Sequence, residues 1–255
     1  MNTISWVLLG TGFIFLMTCT GSAMVFFFRN AGSRVMQTVF LGFAAGIMIA
    51  ASVFGLLVPA INQGGGWLPA ALGFVLGVAF LYGLDSLIPH IHPSSNEQEG
   101  LPSSMKRTTL LISAVTLHNI PEGMAVGLAF ALGAQHPEAI PAAMALALGI
   151  GIQNFPEGAA VSLPLRQEGM SVRKSFWVGC ASGVVEPIFG ITVALVASFI
   201  APGMPYLLAF AAGAMLYVVV EELIPEAHLG EHSNIGTLSV MAGFLIMMIL
   251  DVALS

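Results

Sequence analysis

The sequence predicts an all-α, polytopic membrane protein with eight transmembrane helices, and three observations carry that prediction. Hydrophobic residues fill 57% of the 255 positions and charged residues only 8%, where a soluble domain carries about 25% charged residues. Apolar runs recur at about the length, roughly 20 helical residues, that crosses a hydrocarbon core of about 30 Å. The 7 basic residues all fall in or beside alternate loops, as the excess of Lys and Arg in cytoplasmic loops requires.

Taken in order, the first run covers 4–28. It has no basic leader and no clear small-residue cleavage site, and it is longer than a signal-peptide core, so it is expected to remain as a span. The second, 35–61, ends on the turn chemistry of Asn62-Gln63-Gly64-Gly65-Gly66, and the third covers 67–89. Residues 90–105 are rich in Ser, Asn, Glu, Gln and Gly, a composition that favours a flexible loop over a packed element. Spans four and five, 107–133 and 138–165, are separated by Gly133 to Pro137; spans six and seven, 174–200 and 205–226, by Ala201-Pro202-Gly203. The eighth covers 235–254, and the whole of 1–255 reads as a single transmembrane domain. Arg29 and Arg34 flank loop 1–2, Lys106 and Arg107 close loop 3–4, and Arg166, Arg173 and Lys174 bracket loop 5–6. These loops are therefore expected in the cytoplasm, with both termini extracytoplasmic.

The net charge of -6 and the scatter of the basic residues exclude a nucleic-acid groove. Cys19 and Cys180 both lie in apolar stretches, so no disulfide framework is indicated. Small-residue spacings at Gly42/Gly46, Gly73/Gly77, Gly123/Gly127 and Gly179/Gly183 permit close helix contact, with a homodimer as an extension of the same chemistry. Two internal likenesses suggest a 3+2+3 arrangement. Asp85-Ser86-Leu87-Ile88-Pro89-His90-Ile91-His92 resembles Glu221-Glu222-Leu223-Ile224-Pro225-Glu226-Ala227-His228 at the ends of spans three and seven. His118-Asn119-Ile120-Pro121-Glu122-Gly123 is echoed by Gln153-Asn154-Phe155-Pro156-Glu157-Gly158 on spans four and five.

This second pair carries the chemistry. Counting from Arg107, Arg166 and Lys174 puts Glu122 at roughly 23 Å, His118 at roughly 17 Å, Glu157 at roughly 14 Å and Glu186 at roughly 18 Å from the cytoplasmic side. A carboxylate at mid-membrane costs at least about 2.5 kcal/mol unless it is partnered. His118 and Glu122 stand at i and i+4, Asn119 and Glu122 at i and i+3, so one helix face presents imidazole, amide and carboxylate together. Pro121 and Pro156 deny the Leu117 and Ile152 carbonyls their helical donors. Three carboxylates crowded together would repel one another, and a divalent cation relieves that repulsion. The mixed donor set suits borderline or hard first-row ions. His118, Asn119, Glu122, Gln153, Asn154, Glu157 and Glu186 are thus the candidate metal ligands, although the amides could instead stitch helices together.

At these residues the chain resembles the ZIP family of zinc- and iron-regulated divalent metal transporters, particularly its prokaryotic-type branch. The resemblance covers nearly the whole chain and implies a carrier that moves zinc, with iron, cadmium or manganese as further cargo, into the cytoplasm. It implies one metal site from His118, Glu122, Gln153 and Glu157 and a neighbouring one from Asn119, Glu122, Asn154, Glu157 and Glu186, the two motif glutamates bridging. Many relatives have histidine at the Gln153 position, and some have aspartate at the Asn154 position. The metal is cargo and not a cofactor, and the expected location is a bacterial inner membrane.

Glu221, Glu222, His90, His92 and His228 are expected to line an exit route, with Asp85 in the equivalent place on span three and Glu226, Glu231 and His232 nearby. Met48, Ala51, Gly55 and Asn62 could line an entrance along span two, with plain helix packing the stronger reading for the first three. An intramembrane metalloenzyme and a passive channel are the competing classes. No His-Glu-x-x-His motif is present for the first, and concentrated ligands favour ion residence over fast permeation for the second.

Overall fold

The computed structural model describes residues 2–28, 34–91, 98–101, 107–227 and 234–254. Helix α1, Thr3–Ser22, starts where the Asn2 side chain accepts from the Ser5 N–H at 2.8 Å, and it ends in a 3-10 turn, Ala23–Phe26. Helix α2, Arg34–Ala50, continues through a π-helical turn, Ala51–Leu57, into α3, Val58–Gln63. A turn with Gly65 at φ +65°, a left-handed conformation that glycine adopts freely, leads to α4, Trp67–Leu87. Two short antiparallel strands follow, β1 (His90–Ile91) and β2 (Gln98–Glu99), within the segment expected to be a flexible loop. Helix α5 is Arg107–Gln135 and α6 is Ile140–Gln167. Helices α7, Val172–Ser182, and α8, Val185–Phe199, fill the place of one expected span. Then come α9, Met204–Val218, a second π turn, Val219–Leu223, α10, Ile224–Ala227, and α11, Ile235–Leu254.

Prolines explain the three irregularities. Pro59 cannot donate to the Gly55 carbonyl, nor Pro225 to that of Glu221. Just before each, the chain switches to π bonding, Val58 N–H to Val53 O and Ile224 N–H to Val219 O. Span six breaks because Pro187 has no N–H for the Gly183 carbonyl. That carbonyl accepts from the Glu186 N–H at 3.1 Å instead, and the turn tightens with Gly183 N–H to Cys180 O at 3.1 Å.

Seven helices among the described residues are long and apolar enough to cross a membrane. Helix α5 has the length but is not among them, because His118, Asn119, Pro121 and Glu122 interrupt its apolar run. Its surroundings explain the tolerance: every residue from Asn119 to Gly133 is buried against protein. By contrast α4 and α11 expose Leu72, Val75, Leu76, Leu238, Met241 and Leu245, the side chains a lipid-facing surface calls for.

The helices sort into two groups. Helices α1, α5, α6, α7 and α8 pack chiefly on one another, while α2 pairs with α11 and α4 with α9. Small residues set the closest approaches. A Cβ on Gly123 or Gly127 would strike the α8 backbone at Glu186 or Gly190, and one on Gly73 or Gly77 would strike α9 at Tyr206 or Phe210. Gly42 and Gly46 face α11 in the same way, and Gly179 and Gly183 face Ser22 and Thr18 of α1. All four small-residue spacings are therefore used within the chain.

Candidate metal centre

The two motifs meet at the middle of α5 and α6. Glu122 is fully buried, and its Oε1 accepts from Gln153 Nε2 at 2.5 Å. Asn154, also fully buried, donates from Nδ2 to Glu186 Oε1 at 3.1 Å and to Thr18 Oγ1 at 3.2 Å. The Thr18 hydroxyl in turn donates to Glu186 Oε1 at 3.1 Å. Glu157 is only partly buried and faces the charges of Glu122 and His118. Asn119 donates to the Ser182 carbonyl at 3.0 Å. That carbonyl is available because the break at Gly183 has diverted the Glu186 N–H that would ordinarily bond to it.

In each amide the NH2 group is spent on protein. What remains is oxygen: Glu122 Oε2, Gln153 Oε1, Asn154 Oδ1 and Glu186 Oε2 are buried and have no hydrogen-bond partner among the described residues. Buried acceptors are nearly always satisfied, and one left unpaired costs on the order of 1–3 kcal/mol. Four within one patch of three helices form a donor set for a hard or borderline cation.

His118 does something the motif does not announce. Its Nε2 lies 2.7 Å from Glu222 Oε2, on the π turn after α9, so the imidazole links the motif to a second buried cluster. There Asp85, His90 and Glu222 each bring a ligand atom within 4.8 Å of the others, a spacing that could hold a metal. Asp85 Oδ1 lies 3.1 Å from His90 Nε2, and Asp85 Oδ2 accepts from the Tyr217 hydroxyl at 3.0 Å. His90 Nδ1 lies 2.9 Å from the Ile88 carbonyl. His90 stands beyond the end of α4. Burial opposes its protonation, but the hydrogen bond to Asp85, with the Ile88 carbonyl and the Asp85 and Glu222 charges, outweighs burial and raises its pKa to about 9.

Of the expected exit residues, His90 and Glu222 are brought together. Glu221 is partly exposed and is not one of the clustered groups. His92, His228, Glu231 and His232 lie outside the described residues, as does the side chain of Glu226. Thr18 and Tyr217 went unnoticed in the sequence, where a lone threonine or tyrosine in an apolar run reads as ordinary packing.

Two cavities flank the centre. One of about 300 Å³ is lined by Gly55, Pro59, Asn62, His136 and Glu138 among others. It stops short of the site. On α6 the fully buried Leu146 and Ile150 separate its lining residue Ala143 from Gln153, and on the other wall Met48 and Ala51 lie fully buried below Gly55. Met48 and Ala51 are therefore packed and do not line an opening. The other cavity, about 200 Å³, reaches Leu117 and Ile120 on either side of His118 and carries Thr109, Ser113 and Thr116.

A protein-family model described as ZIP Zinc transporter matches residues 94–251. The chain is 36% identical to zinc transporter ZIP11 of Homo sapiens, with 99% of this chain and 98% of that protein covered. It is 38% identical to zinc transporter ZIPB of Bordetella bronchiseptica, over 98% of this chain and 82% of that one. It is 36% identical to zinc transporter ZupT of Salmonella newport, over 81% of each. The family match spans more than half of the chain, including both paired motifs, and the multi-pass helical architecture agrees with it: the chain belongs to the ZIP zinc transporter family.

Proposed function

We propose that this protein carries zinc across a membrane into the cytoplasm, holding the ion at the centre built by α5, α6 and α8. The observation that carries this reading is the set of four buried oxygens on Glu122, Gln153, Asn154 and Glu186 that face no donor. A divalent cation supplies what those oxygens lack and offsets the repulsion among three carboxylates. His118, Glu122, Gln153 and Glu157 hold one ion; Asn119, Asn154 and Glu186, with the two glutamates, hold a neighbouring one. Cadmium, iron and manganese are expected to compete, since carboxylate and amide oxygens discriminate weakly among them.

Release runs through His118. Its 2.7 Å contact with Glu222 supports a hand-over from the centre to Asp85, His90 and Glu222, beside the smaller cavity. Helix α5 is the eighth span, tolerated despite its polar residues because protein surrounds it. The 3+2+3 order is supported by repeated pairings: α1 packs on α6 as α8 packs on α5, and α2 on α11 as α9 on α4. Basic loops on one side support termini that both face outside. Met48, Ala51, Leu146 and Ile150, all fully buried, close the larger cavity off from the centre. Alternate access then comes from sliding the α1, α5, α6, α7 and α8 group against the other.

The test is zinc uptake into proteoliposomes. Glu122→Ala and Glu157→Ala are each expected to lower uptake on the order of 100-fold, the upper end of the 10–100-fold that removing a ligand's supporting partner costs. Wild-type flux in either variant sinks the assignment of the centre.

A further inference from the structure

The centre draws its three amide-bearing residues from α5 and α6, yet α1 also reaches it through one side chain. Thr18 is 2% exposed, its hydroxyl accepts from Asn154 Nδ2 at 3.2 Å, and it donates to Glu186 Oε1 at 3.1 Å. Its alternative acceptor, the Ile14 carbonyl, is more distant at 3.3 Å. The contact is held from three sides. A Cβ on Gly158 would strike the Thr18 carbonyl, one on Gly21 would strike the Phe155 carbonyl, and one on Gly183 would lie 3.1 Å from both Thr18 Cγ2 and Glu186 Oε1.

An amide and a carboxylate differ in what they demand of their surroundings. A carboxylate offers a cation an oxygen whichever way it rotates. An amide turned by half a rotation presents NH2, which a cation cannot use. Each amide here must therefore be oriented. Gln153 is pinned by Glu122 and Asn119 by the Ser182 carbonyl. Asn154 is pinned by Thr18 and Glu186, which leaves Asn154 Oδ1 and Glu186 Oε2 free of hydrogen bonds.

We propose that Thr18 is the positioning residue of the Asn154–Glu186 half of the centre: its hydroxyl fixes the amide of Asn154 so that Oδ1, not NH2, is offered to a divalent cation. This rests on the reading of the centre as a metal site. It makes α1 part of the binding machinery and makes the threonine hydroxyl the counterpart of having asparagine at position 154.

The experiment measures zinc uptake into proteoliposomes and cadmium bound per purified protein. Thr18→Val is expected to raise the KM for zinc at least about 10-fold, with cadmium stoichiometry falling, as loss of a ligand's supporting hydrogen bond does. Thr18→Ser, which keeps the hydroxyl, stays within about twofold of wild type. In the Asn154→Asp background, where the ligand needs no orienting, Thr18→Val changes the KM by less than about threefold, so the two positions are coupled. An equal KM change in both backgrounds, or a wild-type KM in Thr18→Val, overturns the proposal. If Thr18→Val does not elute as a folded protein, Thr18→Ala removes the same hydroxyl with less bulk and must raise the KM likewise. Glu122→Ala in the same vesicles separates the two failures. Should it keep full uptake, the metal-site reading itself falls; should it lose uptake while Thr18→Val does not, only the role of Thr18 falls.

Discussion

The molecule has two buried polar clusters made of similar residues and wired in opposite ways. Where α5, α6 and α8 meet, carboxylates and amides use part of their hydrogen-bonding capacity on one another and leave four oxygens unmatched. Where α4 meets the π turn after α9, each group leans on another: Asp85 on His90 and Tyr217, His90 on the Ile88 carbonyl, Glu222 on His118. A cation entering the first cluster gains ligands that have no other use. One entering the second must displace an existing ion pair, which offsets most of what it gains. On the proposed reading the first holds an ion and the second passes it on, so damage to the first should show in affinity and damage to the second in turnover.

That contrast can be broken or sharpened by substitution. The largest effect, after the glutamates of the centre, is expected from Glu222→Gln. It removes the carboxylate charge facing His118 and should lower the maximal rate of zinc uptake about 10-fold with the KM within about threefold. A rise in KM with an unchanged rate would place Glu222 in the holding site and erase the distinction. Tyr217→Phe removes a hydrogen bond to Asp85 of about 1 kcal/mol and should lower the rate about threefold to fivefold; a larger loss than Glu222→Gln would reverse the order of importance within the cluster. The smallest effect is expected from His136→Ala at the larger cavity. Its contact with Glu138 is 3.5 Å long between exposed side chains, a pair worth little in water, and uptake should stay within about twofold of wild type.

Much of this was legible in the sequence because a membrane makes polar residues conspicuous. Glu122, Glu157 and Glu186 stand out against apolar runs, and the i, i+3 and i+4 spacing of Asn119, His118 and Glu122 is local geometry that helical periodicity dictates. The break before Glu186 is equally local, written in Gly183 and Pro187, but a proline in a membrane helix ordinarily does no more than kink it, so the sequence predicts one continuous span. The likeness between the segments around Asp85 and Glu222 predicts a repeat. In the fold these two segments meet, because α4 packs along α9, and each supplies ligands to the same cluster.

The sequence by itself determined where the long apolar helices lie and which residues could bind a cation, since each follows from the cost of polarity in lipid and the rise of a helix. Only the tertiary structure decided how those residues are used. Thr18 and Glu186 are 168 residues apart, and Asp85 and Tyr217 132 apart. Which oxygen is left free, and which imidazole turns toward which carboxylate, depends on the approach of helices that no local pattern encodes.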